Sequence, residues 1–153
     1  MMREVILDSN IFILFLAGQI NENKIEKYTR NSLYTKKDYY FLLNILADYD
    51  KIITSPNIFT EVDNILNRIT GEDKYKYLVL VKTIYKQTIE KYIKTETVAQ
   101  NWFFDTLGIT DSSILMMAKD CELLISGDSS LCDYAKSLNI KIFDFKEYLN
   151  KRL

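Results

Sequence analysis

The chain has 153 residues, a formal net charge of −1, 48% hydrophobic and 27% charged residues, no histidine, one proline and two cysteines. That length suffices for one domain with its own core, and an aromatic content of 13%, with eleven tyrosines, excludes a disordered polymer. Without histidine, His-based nucleophilic dyads, His zinc sites and an imidazole general base are excluded. Cys121 and Cys132 lack CxxC spacing and are too few for a zinc site or a disulfide framework, which leaves small packing groups in a reducing cytosol, with a free reactive thiol as the alternative.

The amino terminus, Met-Met-Arg-Glu, has no basic region followed by a long apolar core, so no signal peptide is expected. Glu4-Val5-Ile6-Leu7 predicts a short apolar strand running into Asp8. Asn10 to Ala17 is apolar on most sides and predicts a buried helix ending near Gly18. The apolar run from Ile11 to Ala17 is too short to span a bilayer, and a cytoplasmic protein with no membrane association is expected. Asn21 to Lys37 is polar and basic, a connection with helical parts. Asp38 to Asp48 is amphipathic, with Phe41, Leu42, Ile45 and Leu46 at helical spacing.

Lys51-Ile52-Ile53-Thr54 predicts a second strand, and Ser55-Pro56-Asn57 opens a helix through about Arg68, with proline near its first turn. Lys74 to Lys94 reads as one long helix, because Leu78, Val81, Ile84, Tyr85, Thr88 and Tyr92 repeat at threes and fours. Thr110-Asp111 opens a further helix through about Lys119. Leu123 to Ser126 is a third strand, Ser130 to Leu138 a helix, Ile140 to Phe143 a fourth strand, and the tail from Asp144 is helical. The alternation predicts a single α/β domain over residues 1–153, with three α/β/α layers and a central parallel sheet of about four to five strands.

In such sheets ligands bind beyond the carboxyl ends of the strands. Asp8 closes the first strand, and Asp128 stands just past the third. Asp111 opens a helix, where free backbone N–H groups favour a carboxylate. Glu61 lies about a turn into the helix after the second strand. Taken singly, Asp8 and Asp128 also read as turn formers or caps, Asp111 as a cap, and Glu61 as a solvated helix residue. Asp63, Asp105 and Asp120 read as structural or surface acids. Together, four acids from four segments can meet at one sheet edge, where they repel one another unless protonated or neutralised. A hard divalent cation with oxygen ligands resolves the repulsion, which points to Mg²⁺ or Mn²⁺.

The residues flanking these acids resemble the PIN-domain nucleases, in particular the VapC-type toxins and their stand-alone relatives. Leu7-Asp8-Ser9-Asn10 is similar to the family's opening L-D-[TS]-N segment. Ser55 to Val62 resembles the stretch carrying its glutamate, and Leu107-Gly108-Ile109-Thr110-Asp111-Ser112-Ser113-Ile114 follows its G-[LI]-T-D-[AS]-x-I segment. Leu124-Ile125-Ser126-Gly127-Asp128 is similar to L-[LIV]-[TS]-x-D. The resemblance covers nearly the whole chain in the family's order. It implies a PIN-like fold and Asp8, Glu61, Asp111 and Asp128 as catalytic and metal-binding acids, with Asn10, Thr110 and Ser126 orienting them. It also implies Mg²⁺- or Mn²⁺-dependent cleavage of RNA that leaves 5′-phosphate and 3′-hydroxyl ends. As partners it implies an RNA substrate, a homodimer and, for a toxin, a small antitoxin, with the Tyr-rich helices available for either protein contact. Many relatives carry a further Asp where this chain has Ser130, which thins the acids around a second metal.

An RNA substrate calls for cations near the acids. Lys24, Arg30, Lys36, Lys37, Arg68, Lys74, Lys82, Lys86, Lys91 and Lys94 are the candidates, and Tyr28, Tyr34, Tyr39 and Tyr40 are candidates for base stacking. Two other readings compete. One is a PIN-like binding module without turnover. The other is a phosphatase or phosphoacceptor domain built on Asp8. For that the haloacid-dehalogenase pattern lacks its second Asp, where Asn10 stands. A receiver domain lacks its acidic pair and has only Lys141 for its late lysine.

Overall fold

The strands form one five-stranded sheet in the order β3-β2-β1-β4-β5, with every neighbouring pair parallel. They are β1 (Glu4–Leu7), β2 (Lys51–Thr54), β3 (Ile89–Glu90), β4 (Leu123–Ser126) and β5 (Ile142–Asp144). The helices are α1 (Ser9–Asn21), α2 (Ile25–Tyr28), α3 (Lys36–Leu46), α4 (Pro56–Leu66), α5 (Glu72–Gln87), α6 (Thr95–Ala99), α7 (Phe104–Ala118), α8 (Ser129–Ser137) and α9 (Phe145–Lys151). These come from a computed structural model, which describes residues 2–29 and 33–152. The expected three-layer α/β/α architecture with a parallel sheet is what is observed.

Central strands covered on both faces are apolar throughout rather than alternating. Val5, Ile6 and Leu7 of β1 are wholly inaccessible, and all four residues of β4 are buried. In register, Ile6 lies between Ile53 and Leu124, and Leu7 lies beside Ile125. The edge strands β3 and β5 are shorter and partly exposed, which limits pairing with other chains.

From β1 the chain steps outward to β2 and β3, then returns to the other side of β1 for β4 and β5. Right-handed crossovers put the two sets of connections on opposite faces. On one face α1 packs against α3, α4 and α5; on the other α7 packs against α6 and α8. The reversal between β1 and β4 is the topological switch point, where parallel sheets open a crevice at their carboxyl edge.

The sequence of α1 explains its position. Ile11, Phe12, Ile13, Leu14, Leu16, Ala17 and Ile20 leave no continuous polar stripe, so the helix must be enclosed on most sides. It is the hub of its layer, with Phe12 meeting the Phe59 ring edge-on. The helix continues past its expected end near Gly18 to Asn21. Gly18 is not its cap: a Cβ there would lie 2.1 Å from the Tyr39 ring of α3. The glycine lets the two helices approach closely.

The long helix expected over Lys74–Lys94 is corrected. It runs as Glu72–Gln87 and gives way to β3, whose Ile89 and Glu90 pair with Ile53 and Thr54. The apolar period that predicted one helix continues through Thr88 and Tyr92, but pairing with the exposed edge of β2 prevails over local propensity. Two connections also differ. The short α6 was not expected, and the last strand begins at Ile142 rather than Ile140.

Candidate functional site

Asp8, Glu61, Asp111 and Asp128 all line one cleft at the carboxyl edge of the sheet, together with Ser9, Asn10, Leu107, Ile109 and Thr110. The cleft measures about 360 Å³, room for several groups the size of a water molecule at ~30 Å³ each. Among the described residues no lysine or arginine lines it.

Asp8 is held most firmly. It follows β1 and caps α1, so its carboxylate faces two sets of donors. Oδ1 accepts from the Ile11 N–H at 3.0 Å, while Oδ2 accepts from the Gly127 N–H at 3.2 Å and from the Ser126 hydroxyl. The backbone is tied as well, because the Asp8 N–H donates to the Ile125 carbonyl at 3.1 Å. Ser126 Oγ in turn accepts from the Asp128 N–H at 3.0 Å. Asp128 caps α8 through the Leu131 N–H at 2.9 Å. Both acids therefore serve as caps, as each could be read in isolation, and both face the crevice between β1 and β4.

Glu61 projects from α4 toward α1, where its Oε1 accepts from the Ser9 hydroxyl at 2.6 Å. Asp63, two residues on, points away and accepts from the buried Tyr77 hydroxyl at 2.6 Å, a structural role. Asp111 stands in the first turn after a break in α7 at Gly108, whose φ of 78° is readily adopted only by glycine. The break turns the helix start toward the cleft. Among the described residues Asp111 accepts no hydrogen bond, so it does not cap a helix as expected.

The electrostatics follow from this crowding. Burial, offset only in part by the Ser126, Ile11 and Gly127 donors, raises the Asp8 carboxyl to about 6. Asp111 is raised to about 7, first by burial and then by the charges of Asp128, Asp8 and Glu61. Two carboxyls raised to about 6 and about 7, in a cleft with no basic residue among the described ones, form a site short of positive charge. The donor set suits a hard divalent cation: its ionisable groups are all carboxylates, with no thiol or imidazole. Among the described residues no three carboxylates or thiols close into a finished ion cage; the acids line the walls of an open cleft.

Of the three expected supporting residues, Ser126 alone bonds an acid. Asn10 is exposed in the cleft wall, and Thr110 uses its carbonyl to accept from Ser113 at 2.7 Å. Ser9 and the Gly127 N–H were not anticipated as orienting groups. Ser9 stands inside the Leu-Asp-Ser-Asn segment, so its hydroxyl was visible there, but its partner, 52 residues away, was not. Ser130 is exposed in the first turn of α8, beside Asp128 as expected.

Tyr28, Tyr34 and Tyr39 are buried and so are unavailable for stacking on bases. The Tyr34 hydroxyl lies against Gly127, 2.8 Å from where a Cβ would stand, and burial, followed by the Asp8 charge, raises its pKa. Tyr40 is exposed and donates to Glu22. Of the candidate cations, Lys36 pairs with Glu22 at 3.1 Å, and Lys74 donates to the Asn67 carbonyl. Lys82 and Lys86 are exposed on α5, whereas Lys91 follows β3 and Lys94 precedes α6. Arg30 lies outside the described residues. The thiols of Cys121 and Cys132 are pushed up to about 11 and about 12, chiefly by burial, which suits packing rather than reactivity.

The fold and site together define a parallel α/β domain with a tetracarboxylate cleft at its switch point. The chain matches no model of a known protein family and no curated protein. Among the described residues no helix is long and apolar enough to cross a membrane.

Proposed function

We propose that the chain is a Mg²⁺- or Mn²⁺-dependent endoribonuclease of the PIN type, with Asp8, Glu61, Asp111 and Asp128 as its acids. One observation carries the reading. Four carboxylates from four separate elements line a single cleft, and among the described residues no basic residue stands in its wall. Asp8, Asp111 and Asp128 would hold the cation, with Glu61 as a further ligand or as the group that orients water. A bound divalent cation supplies the charge that acidifies water and steadies a phosphoryl oxygen.

The chain's own residues do the rest. Ser126, Gly127 and Ile11 fix the Asp8 carboxylate, so its orientation need not be reorganised during reaction. Ser9 holds Oε1 of Glu61 and leaves Oε2 to accept a proton from the attacking water. Water adds to phosphorus as the bond to the 3′-oxygen breaks. The 3′-oxygen leaves and takes a proton from solvent water, Glu61 returns its proton to solvent, and the phosphate stays on the 5′ side.

A homodimer and an antitoxin partner belong to the same proposal, as does the cytoplasmic setting. Tyr75, Val79 and Tyr85 are exposed on α5 and support it as the protein-contact face. Light scattering behind a sizing column tests the homodimer.

The nuclease reading is tested with an end-labelled single-stranded RNA in Mn²⁺ and in EDTA. Cleavage giving 5′-phosphate ends is expected in Mn²⁺ alone. Glu61→Gln should lower the rate by about a hundredfold or more, while leaving stability within about 0.5 kcal/mol because the side chain is exposed. Metal-independent cleavage, or full activity in Glu61→Gln, would overturn the assignment.

A further inference from the structure

The acid cleft repels the polyanion it is proposed to cut, and among the described residues its wall carries no cation. A second cavity, of about 240 Å³, supplies what the cleft lacks. Lys24, Lys27 and Arg68 surround it, with Tyr28, Ile65 and Thr70 among its other walls. Lys24 is 3.9 Å from Asp73, a buried carboxylate that also accepts from Tyr28 and Asn21 and pairs with Lys76. Asp73 therefore offsets only part of the Lys24 charge. Among the described residues neither Lys27 nor Arg68 has an ion-pair partner.

The two cavities share α4. Glu61 faces the acid cleft, while Ile65 and Arg68 line the basic one. Glu61 and Ile65 stand at i and i+4 on one side of α4, and Arg68 follows in the turn just past the helix end, its N–H donating to the Ile65 carbonyl. At 1.5 Å per residue Ile65 lies ~6 Å along that side from Glu61, with Arg68 in the turn beyond it. The helical part of that separation is about two nucleotide steps at ~3.4 Å of rise per strand, and the turn that carries Arg68 adds to it.

We propose that the Lys24–Lys27–Arg68 cavity is a phosphate site for the RNA strand whose scissile bond lies at the acids. It takes a backbone phosphate two or three nucleotides from the point of cleavage. The lysine ammonium groups and the Arg68 guanidinium there contact phosphate oxygens, so the site adds affinity and sets the path of the strand without reading its bases. The proposal rests on the nuclease reading of the acid cleft.

The test uses the full chain, a fluorescein-labelled single-stranded RNA 12-mer and the small diester bis(p-nitrophenyl) phosphate. Binding of the 12-mer is followed by anisotropy in EDTA over a range of salt concentrations, for the parent and for Lys27→Gln/Arg68→Gln. The double variant should bind more weakly, by a factor of about ten at low salt, uniformly across sequences, and its salt slope should fall by about 1. The pair Lys27→Arg/Arg68→Lys should bind as the parent does. Hydrolysis of the small diester, which reaches no second phosphate, should be unchanged in the glutamine variant. Parent-like affinity and slope in that variant, with an unchanged melting temperature, would overturn the proposal. Failure of the parent to cleave either substrate, with the binding loss intact, would instead remove the nuclease reading and leave the phosphate site standing.

Discussion

The Ser126 hydroxyl donates to the Asp8 carboxylate across the junction of β1 and β4, joining residues 118 positions apart in the chain. The same oxygen accepts from the Asp128 N–H at 3.0 Å. One buried side chain thus positions the acids on both sides of the crevice, and parallel pairing of Ile6 with Leu124 and Leu7 with Ile125 brings it there.

Ser126→Ala removes both bonds in a fully inaccessible setting. The loss should cost about 1–3 kcal/mol of stability, read from urea unfolding. Mn²⁺ affinity should fall about 10- to 100-fold, the usual consequence of losing a group that orients a ligand. Ser126→Thr, which keeps the hydroxyl, should recover most of the affinity if its methyl group is accommodated.

The two raised carboxyls give stability a distinctive pH dependence in EDTA. A carboxyl whose pKa is higher in the folded than in the unfolded state binds protons preferentially when folded. It contributes stability that is complete below the unfolded value of 3.8 and is lost as pH rises through about 6 for Asp8 and about 7 for Asp111. Asp8 alone is worth about 3 kcal/mol across that window. Urea unfolding at pH 5 and pH 8 should therefore find the metal-free chain less stable at pH 8 through these groups. Mn²⁺ should restore the difference, and Asp111→Asn should reduce it. A stability that rises between pH 5 and pH 8, unchanged by Asp111→Asn, would contradict the electrostatic account.

Gly18→Ala tests the packing around α1. Alanine in a helix interior is ordinarily favoured over glycine by about 1 kcal/mol. Here the new Cβ would stand 2.1 to 2.4 Å from three ring atoms of Tyr39. The substitution should instead destabilise by about 1–3 kcal/mol, lowering the melting temperature by a few degrees for a chain of this size. An unchanged or raised melting temperature would show that Tyr39 can move aside at little cost.

The central strands and three of the four acids were legible because each is a local signal. Val5 to Leu7 and Leu123 to Ile125 are short apolar runs, and each is followed closely by an aspartate at the sheet edge. Glu61 carried no such mark, since an exposed glutamate on an amphipathic helix is ordinary. Its place became readable only through the resemblance of its surroundings, and its partner Ser9 only in three dimensions. The strand β3 stayed hidden because two residues cannot show alternation, and a helical period runs straight through them. Its existence depends on the edge of β2, a partner more than 30 positions away. Gly18 was misread for the same reason, because the ring that demands its missing side chain belongs to another helix.

The most direct measurement is calorimetric titration of Mn²⁺ into the full chain near pH 7, repeated in two buffers that differ in ionisation enthalpy. The account predicts binding with release of protons, chiefly from Asp111, whose carboxyl is raised to about 7 and must lose its proton to ligate a cation. It also predicts that Asp8→Asn and Asp111→Asn each weaken binding at least about tenfold, and that Asp111→Asn lowers proton release. Absence of binding, or affinity and proton release unchanged in both variants, would contradict the assignment of the cleft as a metal centre.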